Sequence, residues 1–464
     1  NCVFCIEGKL CGILLAGGHA MVEIAAAVSN TVFSFNAPLI WNFAEYIVKE
    51  AHRRGLRRVY FLARDGYEPY IFANRIADEL GYALECRYLY ASRLAWRLPA
   101  YALLSDEAVR RLLFSPSFDL TAGAVLDRIA VSPEEKKKIL DLLGYAEEFP
   151  LGENKILHEF SDKAWRCAFF RETLERNARR ALGNTLLYFE QEGLLDGDFA
   201  LCDSGWAGTM QDCLQAILGS TGKEIRVYGF YFGLFTGSAA GDCKNTFYFG
   251  PDGGLRKKLK FNNNLLETLL ISPDPLTVGY SESGCAVVPV FRRAGDDWFA
   301  EDHALLQEWL RSERKRRLIS SGRKFSRRIK RVMYCPKREQ LISFSRYYFS
   351  DDPAEREKRC LVRKMEKREA KQYLFFHRLM RKIKGEREKM PAVYWLYGSI
   401  AASDLRFKWW YRWNAYAWEL LRAVKEKITR RNFYAKRGKE KQAAAFLRIS
   451  SMSSSADFII PSSS

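Results

Sequence analysis

The apolar positions of this chain change period several times, and each change marks an element. Leu39, Phe43, Ile47 and Ala51 recur every fourth residue up to His52, Arg53, Arg54 and Gly55, which puts them on one face of a helix with a basic end. Asn36 suits a cap and Pro38 a first turn, so the helix is predicted to open there; residues 1–30 show no clear period and stay unassigned. The run RRVYFLA at 57–63 does not alternate, as in a strand covered on both faces of a parallel sheet. It stops at Arg64, Asp65, Gly66 and Tyr67, helical spacing follows from Glu68 to Leu80, and Gly81 closes it. A second strand, CRYLYA at 86–91, ends on Ser92 and Arg93. Strand, helix and strand in that order make a βαβ unit with a right-handed crossover. Both strands end in polar residues at the edge where open α/β sheets bind ligands.

Residues 103–195 read as a helical insertion, with a capping box at Ser132 and Glu135, Pro133 at the first helical position, Gly144 as a stop, and a long helix over 170–192 in which Asn184 and Thr185 are surface positions. Strands resume at 199–203, 226–235 and 245–250, residues 262–270 are helical around Glu267, and Pro289 makes 285–291 an edge hairpin. The predicted fold class is α/β, with a mainly parallel, Rossmann-like sheet, a helical insertion and a basic helical C-terminal region. Its expected divisions are an N-terminal segment at 1–35, an α/β domain at 36–300, a basic aromatic-rich helical region at 301–442 and a disordered Ser-rich tail at 443–464.

The chemistry is densest in DFALCDSGWAGTMQDCLQAIL, 198–218. A strand feeds a small-residue turn from Asp203 to Gly208, and a helix is predicted from Thr209. Glycines let backbone approach a ligand, and a helix start favours negative charge. An ordinary β-turn-α connection has the same pattern, but Asp203 and Thr209 add a carboxylate and a hydroxyl beside the amides. If the three strands are parallel neighbours, Arg64 and Asp65, Ser92 and Arg93, and the 203–209 turn converge on one crevice. Such a crevice suits a ligand with separate phosphate groups, since guanidinium forks pair with phosphate oxygens bidentately. The other reading leaves Arg64 and Arg93 in surface ion pairs.

The chain has 464 residues, enough for two or three domains, and its 48% hydrophobic content is that of a globular protein. The net charge of +19 is uneven: residues 311–340 hold thirteen Lys and Arg against two acidic residues. Eleven cysteines at irregular spacing suggest reduced thiols and a cytosolic setting. Cys2, Cys5 and Cys11 fall short of a zinc set unless His19 completes it. The most apolar run, 12–28, is interrupted by His19 and Glu23, is shorter than the ~20 residues of a membrane span, and has no basic segment ahead of it. The chain begins at Asn1 rather than Met, so further sequence upstream is expected. Trp409, Trp413, Tyr416 and Leu420 share a helix face beside Lys408, Arg412 and Arg422. Residues 407–421 therefore suit a membrane interface and peripheral attachment to the inner face of a cell membrane. They equally suit packing on the catalytic domain, whereas nucleic acid lacks a recognisable motif.

Five blocks, FLARDGY (61–67), YLYASR (88–93), LLYFEQEGL (186–194), DSGWAGTMQ (203–211) and GFYFGLF (229–235), resemble those of a family found in bacterial capsule and O-antigen gene clusters. Its members are commonly labelled HAD-family hydrolases, because many carry a HAD phosphatase module ahead of these blocks. The part similar to this chain, about 36–291, resembles a phosphoribosyltransferase-like glycosyltransferase. The resemblance implies transfer of ribofuranose 5-phosphate from phosphoribosyl pyrophosphate to a lipid-linked glycan acceptor, with Mg2+ as cofactor. Carried onto this sequence, it implies pyrophosphate at Arg64, the Asp65–Gly66 amides and Arg93, with Ser92 and Ser204 beside them. The 5-phosphate falls at Gly205, Ala207, Gly208 and Thr209, and Asp203 faces the ribose hydroxyls. Asp65 is the general base or the Mg2+ contact, Glu267 is the other acidic candidate, and Tyr67, Trp206 and Gln211 line the acceptor side.

A HAD phosphatase needs a second aspartate two positions after its nucleophile, but Tyr67 follows Asp65 and Gly205 follows Asp203 at that distance. With 56 residues ahead of the first strand, the chain reads as the transferase-like half, any hydrolase module being absent or upstream of Asn1. Phosphoribosyltransferases usually open this loop with two adjacent acidic residues, whereas here Ser204 follows Asp203 and the loop is shorter. The alternatives are a HAD-type phosphatase and a noncatalytic basic protein that binds membrane or nucleic acid.

Overall fold

The computed structural model describes residues 18–117, 120–236, 243–251, 253–270, 272–292, 299–312, 322–350, 358–384 and 393–425. The proposed zinc cysteines Cys2, Cys5 and Cys11, residues 313–321 of the basic stretch and the Ser-rich tail lie outside these. All eight described cysteines are free thiols.

The first helix begins earlier than its period predicted. Helix α1 (Gly18–Thr31) passes through one π turn (Val32–Asn36) into α2 (Ala37–Arg53). Pro38 has no N–H to donate and its ring crowds the preceding turn, and the wider turn relieves that conflict. Asn36 is therefore helical and buried instead of a cap, and its amide donates to the Tyr347 hydroxyl at 3.4 Å. By length and composition Met21–Arg53 could cross a membrane. In this fold Val28, Val32, Phe35, Leu39, Phe43 and Ile47 are all buried in the protein core.

The α/β part runs β1 (Arg58–Leu62), α3 (Tyr67–Leu80), β2 (Glu85–Leu89), α4 (Arg93–Ala100), a set of helices ending in α5 (Ala168–Gln191), β3 (Phe199–Trp206), α6 (Thr209–Gly219), β4 (Val227–Leu234), β5 (Lys244–Phe249) and α7 (Asn263–Leu270). The strands form one five-stranded sheet, every pair parallel, in the order β2-β1-β3-β4-β5. That order reverses between β1 and β3, which opens a crevice outside the carboxyl ends of those strands.

Alternate strand residues feed two cores. Val59, Phe61, Ala200, Cys202, Phe230 and Phe232 join one, while Tyr60, Leu62, Leu201 and Val227 join the other with α4, α5 and α6. Within α5, Thr185 is buried and bonds back to the Ala181 carbonyl, and the Asn184 amide donates to the Tyr280 carbonyl at 2.9 Å, so neither is a surface residue. The hairpin of β6 (Thr277–Ser283) and β7 (Ala286–Phe291) forms a separate antiparallel sheet and is not an edge of the main one. Gln191 docks it on α5 like a borrowed strand residue, donating to the Val287 carbonyl at 3.0 Å and accepting its N–H at 2.7 Å.

The basic region past residue 300 shares the first core with the sheet and α2. On α8 (Phe299–Arg311), Trp309 stacks on Phe72 at 5.9 Å and meets Trp41 edge-on at 5.8 Å. Neighbouring Asp302 accepts from Tyr347 and Arg346, and His303 pairs with buried Glu68 at 2.7 Å. Trp309→Ala should therefore cost about 3–5 kcal/mol and lower the denaturant midpoint of the whole sheet. An unchanged midpoint for the α/β part would show that the helices past 300 fold on their own.

Candidate active site

Beyond β1 the chain turns sharply. Ala63 still donates to the Leu89 carbonyl at 2.8 Å, and Arg64 then takes φ +74°, a left-handed conformation costing a non-glycine residue about 1–2 kcal/mol. Two bonds hold it there. Its N–H donates to the Tyr88 hydroxyl at 2.9 Å, and its carbonyl accepts from Tyr67 at 3.2 Å. Tyr88 is itself fixed by donating to Asp274 at 2.7 Å. The turn sends Arg64 and Asp65 into the crevice.

Strand β3 runs farther than the sequence indicated. Ser204, Gly205 and Trp206 belong to the strand, with Gly205 opposite Gly233 and Trp206 opposite Leu234. Gly205 has φ +117°, and a Cβ there would strike the Gly233 carbonyl, so this glycine serves strand pairing. Trp206 is also left-handed, at φ +77°, and its carbonyl accepts from Phe235 at 2.9 Å and Thr236 at 3.1 Å. The loop proper is Ala207 and Gly208, after which α6 starts at Thr209 with no side-chain cap.

The three strand ends line one cleft of about 240 Å³, whose walls include Arg64, Asp65, Ser92, Arg93, Asp203, Ser204, Gly205, Trp206, Ala207 and Thr209. Four expected residues are off this wall. Gly66 donates its N–H to the Leu62 carbonyl at 2.8 Å and has no room for a Cβ, so its amide cannot hold pyrophosphate. Gly208 sits behind the wall against Lys244. Gln211 is buried, donating to the Val227 carbonyl and accepting from the Tyr231 hydroxyl, each at 2.7 Å. Tyr67 packs edge-on against Tyr88 and Phe299. Ser92 is on the wall with its hydroxyl already engaged, since it caps α4 through Leu94 and Ala95 and donates to the Thr277 carbonyl at 2.6 Å.

Other wall residues are new. Arg97 stands one helical turn past Arg93 on α4, a spacing that the sequence displayed without drawing notice. Thr268 accompanies Glu267 from α7. Tyr348 and Phe349 of a short strand, with Ser350 and Lys358, close the cleft from the C-terminal region, and no local pattern announced them.

Electrostatics distinguish this cleft from an ordinary strand-end crevice. Ser204 donates to Asp65, and the Trp206 indole donates to Glu267. Burial pushes Asp203 up to about 8, and the nearby acids Asp65 and Glu267 add to the rise. Glu267 is pushed up to about 7 by burial and then by Asp65, with Arg93 and the Trp206 bond pulling the other way. Asp65 also moves upward, burial outweighing Ser204, Arg64 and Arg93. Paired acids with raised pKa values in a cleft are a frequent mark of acid–base chemistry. Among the described residues, no group of three or more His, Cys, Asp or Glu side chains is arranged to hold a metal ion. A Mg2+ ion arriving on phosphate oxygens needs only one or two carboxylates, and Asp65 fits that lesser role.

The raised acids make stability fall with pH. The unfolded Asp203 carboxyl ionises near its ordinary value of 3.8, while the folded one stays protonated to about 8, so stability is lost progressively from about pH 4 to about pH 8. Asp203→Asn should match the parent protein's Tm at pH 4 and exceed it by a few degrees at pH 8.5. Equal Tm values at both pH values would mean that Asp203 ionises normally. Comparison of the chain with family models and with curated proteins gives no match, which leaves the geometry of this cleft to carry the functional reading.

Proposed function

We propose that this chain is a phosphoribosyl-type glycosyltransferase, moving ribofuranose 5-phosphate from phosphoribosyl pyrophosphate to a glycan hydroxyl. The observation that carries the reading is the gathering of Arg64, Arg93 and Arg97 with Asp65, Asp203 and Glu267 in one cleft, where the order of a parallel sheet reverses. That strand order also supports the finer Rossmann-like, phosphoribosyltransferase-like assignment.

In this reading Arg64 and Arg93 hold the pyrophosphate, and Asp203 accepts the ribose hydroxyls. Asp65 is the residue that would meet a phosphate-borne Mg2+, which would supply neutralisation of the leaving group's charge. Glu267 takes the proton of the acceptor hydroxyl as its oxygen bonds to ribose C1 and the bond from C1 to pyrophosphate breaks. A carboxyl with a pKa of about 7 is well matched to that task. Asp65, fixed by Ser204, serves better as an oriented charge than as the base. The 5-phosphate lies against Ala207 and Thr209, where α6 begins.

Incubation with phosphoribosyl pyrophosphate and candidate glycan acceptors should release pyrophosphate. Glu267→Gln and Arg64→Ala should each lower kcat/KM about 100-fold or more. Orthophosphate released from ribose 5-phosphate without any pyrophosphate would favour the phosphatase reading instead.

A lipid-linked acceptor would bring the protein to a membrane, and an exposed apolar surface supports that location. On α9 (Phe375–Lys384), Phe376 and Ile383 are 67% and 69% exposed, and on α10 (408–425), Trp409 and Trp413 are 64% and 50% exposed. Tyr416, expected on the same face, instead packs under Lys260 at 4.5 Å. The exposed cations Lys382 and Arg422 on these helices complement an anionic leaflet. Replacing Trp409 and Trp413 together by Ser should weaken flotation with phosphatidylglycerol vesicles about tenfold or more. Undiminished flotation would assign the surface to another partner.

A further inference from the structure

A second cavity, of about 270 Å³, shares no wall residue with the cleft. The end of α1 and the π turn line it through Thr31 and Ser34. Two helices past residue 300 complete it: Gly322–Tyr334 supplies Arg328 and Arg331, Arg338–Phe344 supplies Glu339 and Gln340, and Lys337 lies between them in the chain.

Hydrogen-bond donors dominate these walls. Arg328 and Arg331 are three residues apart and so share a face of their helix, and Lys337 adds a third positive charge against the single carboxylate of Glu339. Among the described residues none of these four side chains is in an ion pair, although the adjacent Arg338 pairs with Glu23 at 2.9 Å. Arg331 and Lys337 are exposed, whereas Arg328 is half-buried, and burial holds its guanidinium below its ordinary value with no carboxylate to offset the effect.

The opposite wall offers hydroxyls. Thr31 is 1% exposed, and its Oγ1 is sealed from solvent without a hydrogen-bond partner. A helical threonine can return its hydroxyl to the carbonyl four residues back, as Thr185 does, but Thr31 does not. Thr173 and Thr277 are also unpartnered, yet neither lines this cavity. The Gln340 side-chain carbonyl accepts the Lys337 N–H at 2.9 Å, which leaves its amide N–H groups as the donors it can present. Gathered cations repel and an unanswered buried hydroxyl is unfavourable, so the cavity lacks an anion that accepts hydrogen bonds.

We infer that this cavity is a second anion site, binding a terminal phosphate or diphosphate group between Arg328, Arg331, Lys337 and the Thr31 hydroxyl. Three cations against one carboxylate leave a surplus of two charges, which a phosphate dianion matches. Its oxygens take the two guanidinium forks and still accept from the hydroxyl. The site does not depend on the proposed transfer reaction. Because α1 also exposes Met21 and Val22, a lipid headgroup is one source of such a group and a soluble phosphate ester the other.

The test uses the full chain carrying Arg64→Ala and Arg93→Ala, which weakens anion binding in the cleft. Calorimetric titration with pyrophosphate should still show one anion bound per chain, and adding Arg328→Gln with Arg331→Gln should weaken it about thirtyfold or more while moving the ligand-free Tm by no more than a few degrees. Thr31→Val keeps the shape and removes the unanswered hydroxyl, so it should raise the ligand-free Tm and yet weaken pyrophosphate about tenfold. A merely structural threonine would not move the two readouts in opposite directions. Flotation of the same chain separates the sources. A preference for phosphatidic acid over phosphatidylglycerol vesicles of equal surface charge, lost with Arg328→Gln and Arg331→Gln, marks a lipid headgroup, and pyrophosphate binding without that preference marks a soluble ester. No pyrophosphate bound to the Arg64→Ala, Arg93→Ala chain, or binding unchanged by the Arg328 and Arg331 replacements, would overturn the site.

Discussion

Three parallel strands ending side by side force their terminal polar groups into a shared, poorly hydrated space, and the charges there must be balanced against one another. Burial strips solvent from Asp65, Asp203 and Glu267, the neighbouring acids add to the effect at Asp203 and Glu267, and Arg64 and Arg93 offset it only in part. The acids therefore hold their protons to unusually high pH. In the proposed reaction, an arrangement that is unfavourable for the folded chain alone would be offset by a ligand that brings phosphate and metal charge together. Such sites trade stability for preorganised electrostatics.

Strain is stored in the same place. Arg64 and Trp206, both left-handed and both non-glycine, stand at the ends of β1 and β3 on the cleft wall. Each is locked to a neighbouring strand or its continuation, Arg64 by donating its N–H to the Tyr88 side-chain hydroxyl and Trp206 by its carbonyl accepting from the Phe235 and Thr236 N–H groups. Those bonds are anchored by a wider framework. Trp96 donates to the Tyr280 hydroxyl at 2.9 Å, that hydroxyl donates to the Tyr90 carbonyl at 2.8 Å, and Tyr188 stacks on the Tyr280 ring at 4.1 Å. Residues 186–194, distant from the cleft chemistry, thus act by keeping the second strand and its following helix in position.

The C-terminal region contributes to both core and cleft. Trp309, Phe344, Tyr347 and Trp395 are buried in the core that covers one face of the sheet. The chain then brings Tyr348 and Phe349 over the cleft beside Glu267. Basic character in that region is superimposed on a core-forming pattern: Trp309, Phe344, Tyr347 and Trp395 pack toward the sheet, while Phe376, Ile383, Trp409 and Trp413 stay exposed.

The sequence alone determined the parts whose cause is local. Periodicity located the strands that begin at Arg58, Glu85, Phe199 and Val227, the Ser132 capping box and the acid-and-arginine strand ends, because solvent exposure along one element is written into its own residues. It could not reveal the extension of β3 through Gly205, which depends on how closely Gly233 approaches from the next strand. Nor could it show that Gly66 and Gln211 have spent their hydrogen bonds inside the scaffold. Tertiary structure also decided how deeply each cleft arginine is buried: Arg93 and Arg97 look equivalent along α4, and only packing against α6 encloses one and leaves the other in water. Propensity and period are properties of neighbours in sequence, whereas desolvation and charge pairing depend on groups that meet only after the chain has folded.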